Sequence, residues 1–253
     1  MEFALGIGVL FALTLLSVLG GTIVSTIGPG GILIVTGLYL LTPLSAAEVA
    51  GTSSATFAVG AILGSLVFAR SGEIDWRLAG VVSTGAAVGT WLGVQANAYL
   101  SRDLYGLLLA AMLAAVGCII VYREYRDLEP RIELGRERSD LVGFVVIGLL
   151  IGVFGGLLGI GGAAVSAPAL VLVGVPMLVT IAVTQVIVLA TALFTTANYL
   201  LLDAVVAPLV FVLTGAYLAG VTIGWWLAHR IEAGRLKLAL GVVLVGLAGS
   251  LLL

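Results

Sequence analysis

The sequence predicts an all-α polytopic membrane protein made of two homologous halves. Three observations lead to this fold class: the composition, a series of apolar blocks, and a repeat of the first half in the second. Of the 253 residues, 61% are hydrophobic and only 9% are charged, and the mean hydropathy is +1.27. Because a soluble domain carries roughly 25% charged residues, a chain with so few charges is expected to lie in lipid.

Charged and turn residues divide the chain into apolar blocks, most of which are long enough to cross a membrane. The blocks are 4–27, 31–42, 46–69, 78–99, 104–122, 142–158, 163–174, 178–201, 207–228 and 238–253. A membrane span needs about 20 residues, whereas the two short blocks reach only about 18 Å as helices. Blocks 31–42 and 163–174 are therefore expected to be half-helices or short spans.

The second half repeats the first. When the chain is shifted so that position 28 falls on position 159, the sequence GPGG at 28–31 falls on the sequence GIGG at 159–162. Internal duplication explains this match and divides the chain into a first transmembrane repeat at 1–122, a charged cytoplasmic linker at 123–140 and a second transmembrane repeat at 141–253.

The basic residues predict how the two halves are oriented. Cytoplasmic loops collect Lys and Arg, and the linker contains five arginines. If each half crosses the membrane five times, the basic loops at 70–77 and 229–237 lie on the same side as the linker. An odd number of crossings inverts the second half, so the sequence predicts inverted repeats, each with a glycine-broken helix.

The second glycine cluster also matches a nucleotide-binding pattern, because residues 159–164 read GIGGAA, a form of G-x-G-x-x-A. That fingerprint requires a strand before it and an acidic residue about 20 positions after it. Here an apolar membrane block precedes the glycines, and residues 179–181 are Val, Thr and Ile. The sequence therefore argues against a nucleotide site.

A glycine break inside a membrane protein is instead typical of an anion site. Non-helical backbone at that depth has to line a protein cavity, and the helix that follows presents unpaired N–H groups and the positive end of its dipole. Such helix ends hold anionic groups in inverted-repeat transporters, although glycine also serves close helix packing. The candidate backbone positions for substrate binding are Gly28, Gly30, Gly31, Gly159, Gly161 and Gly162.

Polar side chains early in the neighbouring blocks are candidate donors to the same anion. Hydroxyl and amide groups donate hydrogen bonds to oxyanions, and the alternative role is hydrogen bonding between helices. The substrate-binding candidates are Thr52, Ser53, Thr184 and Gln185, and the weaker ones are Thr191, Thr195, Thr196 and Asn198.

Other residues are expected to be structural. Ser45 and Glu48 match a capping box at a helix start, and Cys118, in an apolar run, is expected to be a small core residue. Close helix packing is predicted for the glycines spaced by four, which are Gly89, Gly93, Gly220 and Gly224.

Three motifs of the first half resemble the sulfite exporter TauE/SafE family. They are the GxGG break at 28–31, the sequence AGTS at 50–53 after the proline turn at Pro43, and the sequence SGEIDW at 71–76. The resemblance implies a polytopic permease of the cell membrane that moves small anions, typically sulfite, sulfonates or related organosulfur acids.

The second half resembles the repeat of the same family. It contains glycine at 155–156, the GIGG break at 159–162 and Pro168, so the resemblance covers nearly the whole chain. It departs from the family pattern at Thr184-Gln185, where Thr-Ser is expected, and at Asp203, where the first half has glycine. These departures concern the identity of the substrate more than transport itself.

Several function classes lack the residues that they need. The chain has no H-E-x-x-H or G-x-S-x-G motif, its one Cys, three Met and one His form no metal site, and its net charge of −2 offers no basic surface for nucleic acid. We therefore expect neither a catalytic residue nor a cofactor or metal. The partners expected are a small anion and the lipid bilayer; a passive anion channel, a non-transporting membrane scaffold and a homodimer remain open.

Overall fold

The computed structural model describes residues 6–26, 29–126, 138–228, 244–246 and 248–249, and within these ranges all regular structure is helical. Gly28, the linker residues 127–137, the 229–237 loop and most of block 238–253 lie outside the described residues. Seven described helices are long and apolar enough to cross a membrane. They are α1 (Ile7–Thr26), α3 (Ala46–Ser71), α4 (Trp76–Asn97), α5 (Arg102–Arg126), α6 (Arg138–Leu158), α8 (Met177–Leu201) and α9 (Ala207–Ala228).

Two shorter apolar helices interrupt the series of long ones. The helix α2 (Ile32–Leu41) follows a short 3₁₀ turn at Pro29–Gly31, and α7 (Ala163–Leu172) follows the second glycine cluster. At ten residues each, they are about 15 Å long. The predicted blocks agree with the described helices to within four residues at each end, which confirms a multi-pass helical membrane protein.

The helix starts of the second half keep the spacing of the first. The four helices α6, α7, α8 and α9 begin at residues 138, 163, 177 and 207, whereas α1, α2, α3 and α4 begin at residues 7, 32, 46 and 76. Each pair of starts is separated by the same offset as the two glycine motifs. We call positions related by this constant offset equivalent positions.

Side chains cap the starts of the two helices that follow α2. The predicted capping box is confirmed, because the Ser45 Oγ accepts from the Glu48 N–H at 3.3 Å and Glu48 Oε2 accepts from the Ser45 N–H at 2.8 Å. Asp75 Oδ1 accepts from the N–H groups of Arg77 and Leu78, each at 3.1 Å, at the start of α4. These bonds satisfy N–H groups that have no partner within the helix.

A left-handed turn residue ends both α3 and α8. Gly72 has a φ of +75°, and Asp203, at the equivalent position of the second half, has a φ of +52°. Asp is one of the few residues other than glycine that adopt this conformation at modest cost. The departure of the second half at Asp203 therefore preserves the shape of the turn.

Glycine brings the backbones of α4 and α6 into contact. A Cβ atom on Gly89 would overlap the carbonyl oxygen of Leu149, and one on Gly93 would overlap that of Val153. In return, Gly152 of α6 faces the carbonyl oxygen of Ala86 just as closely. The predicted packing role of Gly89 and Gly93 is confirmed, since only hydrogen fits at these positions.

The helices α1 and α9 approach each other in the same way. A Cβ on Gly220 would overlap the carbonyl oxygen of Val18, and one on Gly224 would overlap that of Thr22. The predicted packing role of these two glycines is also confirmed. Small residues at such crossings allow the close backbone approach that membrane helices use in place of a hydrophobic driving force.

The prediction for Cys118 is wrong, because its side chain is exposed on α5 rather than part of the core. In a membrane protein a side chain that faces lipid is as apolar as one in the core, so an apolar run does not distinguish the two positions.

Arg102 fixes the end of α2. Its guanidinium donates to the carbonyl oxygens of Tyr39 at 2.6 Å and of Thr42 at 2.8 Å, and also to that of Leu44. The same group lies 4.9 Å from the centre of the Tyr39 ring. A cation stabilises the negative end of a helix dipole, so the carboxyl end of α2 is tied to the start of α5.

Candidate functional site

The chain leaves helical geometry between α6 and α7. Helix α6 ends at Leu158, and α7 begins at Ala163. The φ angles of Gly159, Gly161 and Gly162 are +69°, +64° and +76°, a region that glycine adopts without the cost that a side chain would impose. The glycines of this cluster are therefore required by the backbone conformation itself, and all three are buried.

Side chains from three other helices satisfy the carbonyl groups at the end of α6. Each bond closes a contact between residues far apart in the sequence. The donors are Asn97 Nδ2 to the Leu157 oxygen at 2.7 Å, Tyr105 Oη to the Leu158 oxygen at 2.7 Å, and Tyr199 Oη to the Gly156 oxygen at 2.9 Å. Unpaired carbonyl groups would be costly at membrane depth, so these bonds make the end of the helix stable there.

Two hydroxyl groups hold the carbonyl groups of the break itself. Ser53 Oγ donates to the Gly159 oxygen at 2.9 Å, and Thr191 Oγ1 donates to the Gly161 oxygen at 2.7 Å. Ser53 is one of the predicted site residues, and Thr191 is one of the weaker candidates. The structure places both at the break, where they fix its carbonyl groups.

The N–H groups on the other side of the break have no such partners. The first amides of α7 that pair are those of Val165 and Ser166, which both donate to the Gly162 oxygen. Among the described residues, none accepts a hydrogen bond from the five N–H groups of residues 160–164. These residues are buried, with at most 3% exposure at Ile160, Ala163 and Ala164. Each unpaired buried donor costs about 1–3 kcal/mol, so this row calls for a ligand or ordered water.

Thr52 and Thr184 link elements around the break. Thr52 Oγ1 accepts from the Val206 N–H at 3.1 Å and so joins α3 to the segment before α9. Thr184 and Ser166 share a hydroxyl hydrogen bond of 3.1 Å, which joins α8 to α7. Both threonines are buried, and the structure places Thr184 beside the first turn of α7.

Gln185 is a buried residue of α8. It is 5% exposed and packs against Gly64 of α3, where a Cβ would overlap the Gln185 Oε1 atom. One turn further along α8, Val188 lies 3.3 Å from the position of a Cβ on Gly161. The amide therefore lies at the α3–α8 interface, one turn from the residue that contacts the break.

The 3₁₀ turn at Pro29–Gly31, which is the described part of the first glycine cluster and is called the first break below, is packed against α1 and α3. A Cβ on Gly30 would overlap the carbonyl oxygen of Gly20, and one on Gly31, the residue before α2, would lie 3.2 Å from Cζ of Phe57. The same ring also contacts the second break, because its Cδ2 atom lies 3.3 Å from the position of a Cβ on Gly161. One aromatic side chain thus touches both breaks.

Four residues of this region were not predicted from the sequence: Asn97, Tyr105, Tyr199 and Phe57. A signal was available for the first three, because a hydroxyl or amide within an apolar block needs a partner at membrane depth. The sequence does not show which carbonyl group that partner is. Phe57 gives no signal of this kind, since a phenylalanine in a membrane helix is unremarkable.

The comparisons with known proteins agree with this architecture. The family described as "Sulfite exporter TauE/SafE" matches residues 13–251. The chain is also 30% identical, over 145 residues, to the "Probable membrane transporter protein YdhB" of Bacillus subtilis (strain 168), a match that covers 56% of this chain and 59% of that protein. No solved structure matches the chain. Because the family match extends over nearly all of the sequence, the chain belongs to the sulfite exporter TauE/SafE family.

Proposed function

We propose that this protein is a transporter that exports small oxyanions of sulfur, such as sulfite, sulfonates or related organosulfur acids, across the cell membrane. Its family is named for sulfite export, and the Bacillus relative is named a probable membrane transporter. The seven long apolar helices suit a path through a bilayer. The proposal includes no catalytic step.

The observation that carries the proposal is the row of buried N–H groups at residues 160–164, from which no described residue accepts a hydrogen bond. Amides at the start of a helix, together with the positive end of its dipole, favour a negatively charged ligand. An oxyanion offers several acceptor oxygens on one small centre and therefore fits a row of donors. Binding by neutral donors also leaves the anion free to depart, which a transporter requires.

The predicted site residues take different parts in this proposal. The N–H groups of Gly161 and Gly162 bind the anion, and the amide of Gln185 donates a further hydrogen bond. Ser53 acts as a positioning residue, because its hydroxyl holds the Gly159 carbonyl group. Thr52 and Thr184 position α3 and α8. Three of the other predicted glycines, Gly30, Gly31 and Gly159, shape the two glycine clusters.

The contacts between the halves support a two-fold relation. Gly220 meets the backbone of Val18, and Gly89 meets that of Leu149. Leu149 is the equivalent of Val18 in the second half, and Gly220 is the equivalent of Gly89. Replacing each residue of one contact by its equivalent in the other half therefore gives the other contact. Since basic loops favour an odd number of crossings per half, we propose that the halves are inverted repeats.

This topology predicts that equivalent turns lie on opposite sides of the membrane. Ser71 and Leu202 are both exposed and occupy equivalent positions at the ends of α3 and α8. In a Cys118→Ser background, single cysteines at Ser71→Cys and Leu202→Cys are expected to react with a membrane-impermeant thiol reagent from opposite sides of oriented vesicles. Reaction of both from the same side would exclude the inverted arrangement.

Export of an anion needs no proton relay through the protein. No Asp, Glu, Lys or Arg lies deep in any apolar block, whereas proton-coupled carriers keep an ionisable group there. The inside-negative membrane potential favours outward movement of an anion by about 2.3 kcal/mol per charge per 100 mV. We therefore propose a uniporter, and a current whose reversal potential follows pH rather than the substrate gradient would contradict it.

Flux of radiolabelled sulfite in proteoliposomes tests the proposed function. We expect saturable flux that competing sulfonate reduces and that unlabelled sulfite on the opposite side accelerates by counterflow. Linear conductance without saturation would instead indicate a passive anion channel. Absence of flux for sulfite, sulfate and a small sulfonate, in a protein that remains folded, would contradict transport of this substrate class and favour a scaffold.

A further inference from the structure

The ring of Phe57 fills the space between the two glycine breaks. It is 1% exposed, and a Cβ on Gly31 would lie 3.2 Å from its Cζ, while one on Gly161 would lie 3.3 Å from its Cδ2. The ring of Tyr217 packs against it, with centroids 5.5 Å apart and an angle of 56° between the planes. The ring of Phe57, backed by Tyr217, therefore packs beside the starts of both α2 and α7.

The repeat gives Phe57 a counterpart of different size. Val188 of α8 occupies the equivalent position in the second half, and Val188 Cγ1 also lies 3.3 Å from the position of a Cβ on Gly161. Equivalent positions of α3 and α8 thus meet at the same break. One half supplies a valine and the other a phenylalanine, so the extra volume at this point comes from the first half alone.

We infer that Phe57 sets the size of the anion that the protein transports. The inference rests on the proposed function, because it concerns the path of the same substrate to the N–H groups at residues 160–164. An apolar ring offers no hydrogen bond to an oxyanion, so it acts by occupying volume beside those donors. A compact sulfur oxyanion is therefore expected to reach the donors beside the ring, whereas a sulfonate with a long alkyl chain is expected to require the volume of the ring.

A second buried phenylalanine on the same helix provides a matched control. Phe68 of α3 is 6% exposed and belongs to a separate apolar cluster with Ile74, Ala79 and Val82. Phe57 belongs to the cluster that includes Ile32, the first residue of α2, and Ile160. Truncation of Phe68 removes a similar amount of packing without enlarging the space between the breaks.

Relative flux along a series of alkylsulfonates tests the inference. In Phe57→Ala, the ratio of hexanesulfonate flux to sulfite flux is expected to rise at least tenfold over wild type. Phe57→Val, which copies Val188, is expected to shift the ratio in the same direction by less, and Phe68→Ala is expected to keep the wild-type ratio. An unchanged ratio in Phe57→Val with a wild-type melting profile, or an equal shift in Phe68→Ala, would overturn the inference.

A labelling experiment separates this inference from the proposed function. In a Cys118→Ser background, Phe57→Cys is expected to react with a small thiol reagent that carries a sulfonate group, and excess sulfite is expected to slow the reaction. Phe68→Cys is expected to remain unreactive under the same conditions. Lack of reaction at position 57 in a protein that transports sulfite would overturn the inference alone. Reaction at position 57 in a protein without sulfite flux would contradict the proposed substrate, while showing that an anionic reagent reaches this position.

Discussion

Gly89→Leu is expected to abolish folding in the membrane. A Cβ at this position would overlap the carbonyl oxygen of Leu149, and backbone atoms of a packed helix cannot move aside as a flexible side chain can. Gly93 makes the same kind of backbone contact one turn later, so α4 and α6 would have to separate along their length. We expect a cost above the 1–3 kcal/mol or so typical of overpacking, which is a large part of the stability of a domain of about 5–15 kcal/mol.

The yield of monodisperse protein in detergent, together with its melting temperature, measures this effect. Gly80→Leu is the control, because Gly80 lies on the same helix and a Cβ there has no neighbour within 4 Å. We expect Gly80→Leu to behave as wild type and Gly89→Leu to give aggregated or degraded protein. Equal yield and equal melting temperatures for the two variants would contradict the backbone contact between α4 and α6.

The positions of the helices were predictable from the sequence, and their partners were not. Hydropathy and glycine clusters delimit each block because lipid imposes both the length and the composition of a span. Glycines 89 and 93 were identified as packing residues, but Gly152 on the facing helix was not. Glycine is common in membrane helices, so its spacing indicates a close contact without indicating the opposing helix.

The candidate site was likewise predictable from the sequence only in part. The repeated sequence singled out the second glycine cluster, and the left-handed φ angles of three of its residues give the physical reason for glycine there. A membrane helix broken by these glycines stays a prediction. The side chains that hold the carbonyl groups of this cluster come from residues 30 to 106 positions away in the sequence. Only the folded chain shows that the hydroxyl of Ser53 donates to the Gly159 carbonyl group and that Gln185 packs against Gly64.

Gln185→Met is expected to weaken anion binding by about tenfold or more while leaving the protein folded. Methionine keeps the unbranched shape that packs against Gly64 and removes the amide. A hydrogen bond to a charged group contributes about 1.5–3 kcal/mol, and 1.4 kcal/mol corresponds to roughly a tenfold change in affinity.

The effect of the same substitution on stability separates two roles of Gln185, anion binding and helix packing. Because methionine keeps the packing against Gly64, the melting temperature of the anion-free protein is expected to stay close to that of wild type. The substitution should reduce the stabilisation that added sulfite provides. If the amide served helix packing instead, its loss would lower the melting temperature and leave the effect of sulfite unchanged.

Equilibrium binding of radiolabelled sulfite to the purified protein tests the central claim most directly. The comparison uses wild type, Gln185→Met and the control Gln95→Met, which makes the same change at an exposed position of α4. If the helix start and Gln185 hold the anion, wild type and Gln95→Met bind sulfite with equal affinity and Gln185→Met binds it about tenfold more weakly or not at all. Equal affinity in all three proteins would place the anion elsewhere and leave the glycine break with a purely structural role.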